Sequence, residues 1–187
     1  QVTLADCADD ELLKTAKSAG CLYLFIGLES FSEASLNEAA KQINRIQDYQ
    51  KIIQNIHRHK IMVQAGIVFG FDNDKADVFQ HTLRACEQLG IDGATASILT
   101  PLPKTPIYDQ MKQEGRLITD NWSCFNGKTK VAFRPKNMTS TQLYDGYLDF
   151  RRQFYSLSSF IKRMRVSRTH IVYNAVINFG YRLAIRK

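Results

Sequence analysis

The sequence lacks the motifs that mark many common enzymes and membrane proteins. Its 187 residues contain no apolar run approaching the roughly 18–20 residues that cross a bilayer, and the first thirty do not resemble a signal peptide. Gly-x-Ser-x-Gly, Walker and G-x-G-x-x-G motifs are absent, which argues against hydrolase-elbow, P-loop and Rossmann sites. An initiator Met is also absent, since Gln1 leads directly into an apolar stub. We therefore expect the true N-terminus to be missing.

Cysteine and histidine are too scattered to form a recognisable metal loop. The four cysteines are 14, 65 and 38 residues apart, which matches no zinc or iron–sulfur spacing. His57 and His59 are two apart on a predicted helix and point to different faces. We predict reduced, mostly buried cysteines, no metal ligand within the chain, and a cytoplasmic location.

Acidic residues are nearly absent from the last third of the chain. Residues 1–126 carry 12 Lys and Arg against 16 Asp and Glu, a net charge of −4. Residues 127–187 carry 13 Lys and Arg against Asp145 and Asp149 alone, a net charge of +11. Such a segment could contact nucleic acid, anionic lipid or another acidic surface, or be a solvated helical face. Its aromatic residues do not alternate with basic ones as in an RNA-binding sheet, which argues against nucleic acid.

Strand and helix patterns alternate through the first hundred residues. Continuous apolar runs, typical of strands covered on both faces, predict strands at 22–27, 62–70 and 94–99, after a short stub at 2–4. Helical patterns lie at about 9–20, 49–59 and 78–89. This alternation predicts βαβ units and a parallel sheet, and therefore an α/β fold.

The remainder is predicted to be mostly helical. Helices are expected at 107–114 and 140–158, with a mixed stretch between them. The basic segment 160–187 places one apolar stripe at helical spacing, consisting of Val172, Ala175, Phe179 and Leu183. We interpret this segment as an extra docking helix, with attachment to a membrane surface as the alternative.

Candidate site residues follow the predicted strands, because ligands of parallel α/β folds bind at the carboxyl ends of strands. Glu29 follows the first long strand and would bind a ligand amino group or ribose, or pair with Lys41. Gly66 and Gly70 leave room for a ligand to approach the second strand closely. The third strand leads into 99–106, where three prolines fix an extended exit.

Taken in order, these segments resemble landmarks of the radical S-adenosylmethionine (SAM) superfamily, and within it the cobalamin-dependent, B12-binding branch. The landmarks are Ala19–Cys21, Phe25–Ser30, Lys41–Asn44, Gly66–Asp72, Leu99–Pro106 and Glu114–Arg116. The regions around Trp122, 131–135 and 154–156 resemble an uncharacterised domain appended to some members. The resemblance covers about residues 1–165.

This resemblance implies the C-terminal part of a partial (β/α)6 barrel of the TIM type with a mostly helical C-terminal appendage. Residues 1–106 would supply barrel strands 3 to 6, residues 107–159 an appended α+β domain, and residues 160–187 a basic amphipathic helical tail. In the family, a C-x-x-x-C-x-x-C loop holds a [4Fe–4S] cluster that cleaves SAM to a 5′-deoxyadenosyl radical. That loop and any cobalamin domain would lie upstream, so we expect the chain alone to be inactive and to bind SAM weakly or not at all.

The family's SAM contacts carry over to eight positions, with no catalytic residue assigned: Gly27, Glu29, Lys41, Gly66, Val68, Gly70, Leu99 and Pro101. Glu29 would contact the nucleoside or amino acid part of SAM, and Lys41 its carboxylate. Lys104 and Lys60 stand where the family commonly has Gly. Lys104 either adds a cation near the pocket rim or gives the loop a different backbone shape, whereas Lys60 is expected to affect only stability.

The implied function is that of a cobalamin-dependent methyltransferase acting on an unreactive carbon of a small-molecule or lipid-like substrate. A radical SAM oxidoreductase or methylthiotransferase without cobalamin is the alternative within enzymes. A non-catalytic module that binds RNA or anionic lipid through the basic tail is the alternative from another class. Peripheral membrane contact through the tail stays open, and the sequence assigns neither substrate nor oligomeric state.

Overall fold

Three parallel strands form the sheet on which the described part of the chain is built. A computed structural model describes residues 2–38 and 44–185. The strands lie in chain order and are β1 (Tyr23–Glu29), β2 (Met62–Phe69) and β3 (Gly93–Ile98). The predicted parallel α/β sheet is confirmed. The stub at residues 2–4 adds only a single parallel bridge, from Val2 to Ile26, and not a fourth strand.

Eight α-helices accompany the sheet in the described residues. They are α1 (Asp10–Ser18), α2 (Glu33–Glu38), α3 (Ile46–Arg58), α4 (Val78–Leu89), α5 (Pro106–Gln113), α6 (Ser140–Phe154), α7 (Leu157–Ser167) and α8 (Ile171–Ile185). Short 3-10 helices lie at Asp6–Ala8 and Trp122–Cys124. The helices predicted before β1, β2 and β3 are confirmed as α1, α3 and α4, whereas α2 was not predicted.

Capping residues explain where the C-terminal helices begin and end. Thr139 and Gln142 form a capping box that begins α6. Ser156 accepts a hydrogen bond from the Ser159 backbone and begins α7, so the helix predicted over 140–158 is divided in two. The predicted tail is divided as well, because Arg168 at φ 51° ends α7 in the left-handed region.

The helices cover the two faces of the sheet unequally. Ile26, Val63 and Ala96 represent the face that is buried beneath helices. On the opposite face Tyr23 is 58% exposed, so the prediction that β1 is covered on both sides is wrong. Helix α8 lies beside this face near the N-terminal ends of the strands, and a cleft of about 550 Å³ remains between the helix and the sheet.

The segment after β3 packs onto the same hydrophobic core as the sheet. The ring of Phe150 on α6 lies 5.0 Å from that of Phe69 on β2. Gly146 lets α6 approach α4, because a Cβ there would lie 2.2 Å from the Phe79 ring. The core is therefore continuous across residue 106. The domain boundary that the sequence suggested there stays a prediction.

A buried carboxylate joins α7 and α8 to the start of β3. Asp92 is almost inaccessible, and its Oδ1 accepts hydrogen bonds from Ser167 (2.6 Å), Thr169 (2.9 Å) and Asn174 (2.8 Å). Its Oδ2 accepts from the Val63 backbone N–H at 2.7 Å and lies 3.0 Å from Nε2 of His57. Burial acts to raise the pKa of Asp92, but these hydrogen bonds, led by that of His57, hold it below its ordinary value.

A fully buried arginine reinforces the same junction. The guanidinium of Arg163 donates to the carbonyl oxygens of Ile91 (2.8 Å), Asp92 (2.9 Å) and Phe154 (2.9 Å), and to the side chain of Asn178 (2.8 Å). Burial lowers the pKa of Arg163 to about 10, which leaves it charged at neutral pH. Helices α7 and α8 are thus attached to the body through polar contacts made in the interior.

The backbone at Lys104 argues against the different loop shape that the sequence left open. Lys104 has φ 66° and Lys60 has φ 56°, so both lysines adopt the left-handed conformation that Gly favours. The loop after β3 therefore keeps a Gly-like shape with a lysine in it. A left-handed non-Gly residue is strained by about 1–2 kcal/mol.

Replacing Lys104 with Gly should therefore stabilise the protein. We expect the Lys104→Gly variant to gain about 1 kcal/mol in the free energy of unfolding, measured by urea denaturation. Lys75→Gly is the matched control, because Lys75 is an exposed loop lysine that does not have a positive φ. This variant should be less stable than the parent, because glycine makes the unfolded chain more flexible. A Lys104→Gly protein less stable than the parent would contradict the strain argument.

Candidate cofactor-binding cleft

A cleft of about 500 Å³ opens at the carboxyl ends of the strands, which is where ligands bind in parallel α/β folds. One wall consists of residues that end or follow the strands, and the other of α5 and the segment after it. The lining residues are Glu29, Glu38, Val68, Phe71, Asp72, Leu99, Pro106, Ile107, Gln110, Met111 and Arg116. The cleft thus combines an apolar floor with carboxylates and an arginine at its edge.

Glu29 enters the cleft from an irregular end of β1. The pairing register between β1 and β2 shifts between Gly27 and Glu29, and Glu29 has φ 65°. The carboxylate lies over Gly27, where a Cβ would come within 2.6 Å of Oε1. A bulge beside a site re-aims a side chain, and here it directs the Glu29 carboxylate into the cleft.

Two side chains hold this bulge in place. The amide of Asn44 donates to the carbonyl oxygen of Gly27 at 2.9 Å, and the hydroxyl of Tyr49 donates to that of Leu28 at 2.9 Å. Burial, and then the negative charge of Glu29, raise the pKa of Tyr49, so its hydroxyl stays protonated and available as a donor. The position of Glu29 is therefore fixed by contacts beneath it.

The glycines on the strands have different roles. Gly27 and Gly66 are paired on neighbouring strands, and a Cβ at Gly66 would lie 3.0 Å from the Phe25 ring. Gly70 has φ 106°, and a Cβ there would meet Leu143 at 2.9 Å. Gly27 and Gly66 therefore keep the open sheet face flat next to the cleft, whereas Gly70 allows α6 to pack.

The edge of the cleft carries a network of ion pairs. The two terminal guanidinium nitrogens of Arg116, Nη1 and Nη2, donate to the carboxylate of Asp72. Nη1 also pairs with the Glu114 carboxylate at 2.8 Å. Lys136 lies 2.6 Å from Asp72. Burial alone would raise the pKa of Asp72, but Arg116 and Lys136 hold it below its ordinary value. Asp72 is therefore a carboxylate throughout the neutral range.

Glu38 completes this edge from α2. Its carboxylate accepts the Asp72 backbone N–H, with 2.8 Å to each oxygen, and the Asn73 side chain at 3.2 Å. Burial is the largest cause of a raised pKa at Glu38, and the nearby charge of Asp72 adds to it. Glu38 therefore stays protonated up to a higher pH than an exposed glutamate does.

The structure brings together only part of the predicted set. Glu29, Val68 and Leu99 line the cleft, and Gly27 and Gly66 lie on the adjoining sheet face. Gly70 faces α6, and Pro101 is buried outside the lining. Lys41 lies outside the described residues, so the predicted pairing with Glu29 has no structural description.

Three charged lining residues were not assigned to the site from the sequence. They are Glu38, Asp72 and Arg116. Asp72 and Arg116 both fall within segments that carried the family resemblance, and this was the available signal. Their pairing joins positions 44 apart in sequence, which local spacing does not reveal.

The cysteines in the described residues are not arranged as metal ligands. Cys7, Cys86 and Cys124 are buried and Cys21 is half-buried, all as free thiols. Burial raises the pKa of Cys7 to about 11 and that of Cys86 to about 12, so both are protonated at neutral pH. Within residues 2–38 and 44–185, no cluster of three or more His, Cys, Asp or Glu is placed to hold a metal ion.

Comparison with known proteins identifies relatives of most of the chain. Residues 105–178 match a family model described as a domain of unknown function, DUF4070. The chain is 33% identical over 155 residues to bacteriochlorophyllide d C-12(1)-methyltransferase of Chlorobaculum tepidum, covering 83% of this chain and 33% of that protein. The chain belongs to the radical SAM superfamily, in the branch of B12-binding-type methyltransferases and cyclases.

Two further relatives lie in the same branch. Anaerobic magnesium-protoporphyrin IX monomethyl ester cyclase of Cereibacter sphaeroides is 26% identical, over 79% of this chain and 23% of that protein. Hopanoid C-2 methylase of Rhodopseudomonas palustris is 29% identical, over 65% of this chain and 23% of that protein. The radical SAM chain thus spans a third or less of the length of these three relatives.

Proposed function

We propose that this chain is the part of a cobalamin-dependent radical SAM methyltransferase that binds SAM and borders the substrate. The cleft carries this proposal, because it gathers Glu29, Val68 and Leu99 at the carboxyl ends of three neighbouring strands. Relatives named as methyltransferases or methylases support the reaction class. The free cysteines support a reducing, cytoplasmic location.

The residues of the cleft fit the parts of SAM that need binding. The Glu29 carboxylate can accept hydrogen bonds from a ribose hydroxyl or from the SAM amino group. Val68, Leu99 and Ile107 offer apolar contact to the adenine. Bound SAM, cleaved by one electron from a reduced iron–sulfur cluster, would supply methionine and a 5′-deoxyadenosyl radical, which would take a hydrogen atom from an unreactive carbon and leave as 5′-deoxyadenosine. The task of this chain is to orient SAM and keep water away from it.

The iron–sulfur cluster has no fitting ligand set among the described residues, and the family resemblance implies that cobalamin binds to a separate domain. The described cysteines are dispersed, and Cys7 and Cys86 are buried and protonated, which does not suit a [4Fe–4S] cluster, whose ligands are converging thiolates. We therefore assign the ligands of both groups to other parts of the protein. In the same proposal, β1, β2 and β3 are strands 4 to 6 of a partial (β/α)6 barrel, with the stub at Val2 belonging to strand 3.

The names of the relatives and the shape of the site support a proposal for the substrate class. Their names specify a bacteriochlorophyllide, a magnesium-protoporphyrin ester and a hopanoid. The sheet face beside the cleft presents small or apolar groups at Phe25, Gly27 and Gly66. We propose a small-molecule or lipid-like substrate that lies along this open face.

A second reaction is favoured by one relative. The cyclase of Cereibacter sphaeroides is named for ring closure and not for methyl transfer. The same cleft would then position SAM for a radical reaction in which no methyl group reaches the product. The two reactions differ in the fate of the methyl carbon of SAM, which a labelled cofactor reports.

The role of Glu29 can be tested on the full-length protein, reconstituted anaerobically with iron and sulfide. We expect Glu29→Gln to weaken SAM binding by roughly ten-fold or more, because a charge-assisted hydrogen bond is lost. Equilibrium dialysis with SAM measures the affinity, and formation of 5′-deoxyadenosine measures turnover. Glu33→Gln is the control, since Glu33 is exposed on α2. Equal affinities of Glu29→Gln and the parent protein would remove Glu29 from the site.

A further inference from the structure

Helix α8 presents its apolar residues to the outside and its polar residues to the protein. Val172 is 77% and Val176 68% exposed, whereas Asn174 and Asn178 are buried. Eleven of the seventeen exposed large hydrophobic residues in the described chain lie between Leu157 and Leu183. A helix facing water normally has the opposite arrangement, so the exposed side of α8 is an unusual surface.

The hydrogen bonds of the asparagines fix this orientation. Asn174 donates to Oδ1 of Asp92 at 2.8 Å, and Asn178 donates to the Asp92 carbonyl at 3.0 Å. On the same side the ring of Tyr181 stacks on that of Tyr155, with centroids 4.9 Å apart. Turning α8 to bury its valines would leave these polar groups unpaired in the interior, at considerable cost.

The charged residues of the segment that carries this surface have one sign. No Asp or Glu follows Asp149, whereas nine Lys and Arg occur among residues 150–187. Arg165 and Arg168 are exposed close before α8. The aromatic ring of Phe160 on α7 lies 6.0 Å from that of Phe179, so the apolar surface extends across both helices. The exposed surface of α7 and α8 is therefore apolar with basic residues and without acids.

The geometry points to an anionic lipid surface as the partner of this face, with α8 lying in the plane of the membrane interface. Apolar side chains would enter the boundary between headgroups and acyl chains, and the arginines would contact the anionic headgroups. No helix in the part of the chain that the structure describes is both long and apolar enough to cross a membrane. Contact would therefore be peripheral, and this inference does not depend on the proposed function.

Charge decides between a lipid surface and a protein partner. A second copy of the chain would bring its own basic, acid-free helices against this face, and like charges would repel. An anionic bilayer supplies both a low-dielectric layer and the complementary charge. Its attraction for each basic residue near the surface amounts to a few-fold in affinity.

Vesicle sedimentation of the purified full-length protein tests this inference. We expect binding to vesicles of phosphatidylcholine with phosphatidylglycerol, and much weaker binding to pure phosphatidylcholine. The double variant Val172→Gln/Val176→Gln should lower the partition constant by roughly ten-fold or more, and Arg165→Gln by about five-fold. Ile118→Gln is the matched control, because Ile118 is 47% exposed but lies outside α7 and α8.

A second measurement keeps the test valid if the double variant folds poorly. Val172→Cys, labelled with a polarity-sensitive fluorophore, should shift to the blue when anionic vesicles are added, because position 172 enters an apolar layer. Absence of that shift, or vesicle binding unchanged in the α8 variant, would overturn the inference. Light scattering provides a further test. If the parent protein is a dimer that does not bind vesicles, and the double variant Val172→Gln/Val176→Gln is a monomer, then a second copy covers the face and the inference is overturned.

Discussion

Replacing Asp92 with Asn should lower the free energy of unfolding by about 3–5 kcal/mol. The carboxylate accepts five hydrogen bonds in the interior, from donors on β2, on α3 and on the α7–α8 segment. An Asn amide turns an NH2 group toward some of these donors, and the charge that they stabilise is lost. Urea denaturation measures the change. Asp145→Asn is the control, because Asp145 is exposed on α6. The free energy of unfolding of this variant should stay within about 0.5 kcal/mol of the parent value.

The same pair of proteins gives a pH dependence with a defined sign. The pKa of Asp92 in the folded protein lies below the ordinary value of 3.8, so its stabilising effect is fully present above that value. The effect is lost as the pH falls through the folded pKa. The stability difference between parent and Asp92→Asn should therefore be constant near neutral pH and shrink below about pH 4. A difference that grows toward acid pH would contradict this assignment.

Replacing Arg116 with Gln should cost about 2–3 kcal/mol of stability and disturb the cleft. Asp72 and Glu114 would then share Lys136 as their described cationic partner, with the Glu38 carboxylate beside them on the Asp72 backbone. The effect exceeds that of a surface ion pair because the Arg116 and Asp72 side chains are only 11% and 16% exposed. Chemical denaturation measures it, and Arg84→Gln, at an exposed position on α4, is the control.

A double-mutant cycle separates this ion pair from other roles of Arg116. If the two charges stabilise each other, Arg116→Gln together with Asp72→Asn should cost about 1–3 kcal/mol less than the two single changes added together. Strict additivity would show that Arg116 acts through Glu114 or the Arg134 carbonyl, to which its Nε donates at 2.8 Å. In either case SAM affinity reports whether the edge of the cleft contributes to binding.

The sheet was predictable because its signals are local. Uninterrupted apolar runs predicted β2 and β3 to within a residue, and the helix predicted at 78–89 is α4, which ends at Gly90 with φ 70°. The left-handed backbone at Lys104 was beyond prediction, because a lysine gives no sign of φ and either loop shape was compatible with the sequence. The structure shows the strained alternative.

The orientation of α8 illustrates why the rest was not predictable. Helical periodicity identified the stripe of Val172, Phe179 and Leu183, but it does not tell which side faces the protein. That side is chosen by Asp92, about 80 residues earlier, whose buried carboxylate binds Asn174. In the cleft, Glu29 was identified because it follows a strand, whereas Arg116 depends on a partner brought close only by folding.

The attachment of α7 and α8 also has a consequence for the order of folding. The hydrogen bonds from Arg163, Ser167, Thr169, Asn174 and Asn178 to residues 91 and 92 close loops of 71 to 86 residues. Closing long loops costs entropy before any contact stabilises them, so such contacts form late. The two helices should dock after the sheet has formed and should detach before it unfolds. Their backbone amides would then exchange with solvent through partial opening, while those of β2 would exchange only when the whole chain unfolds.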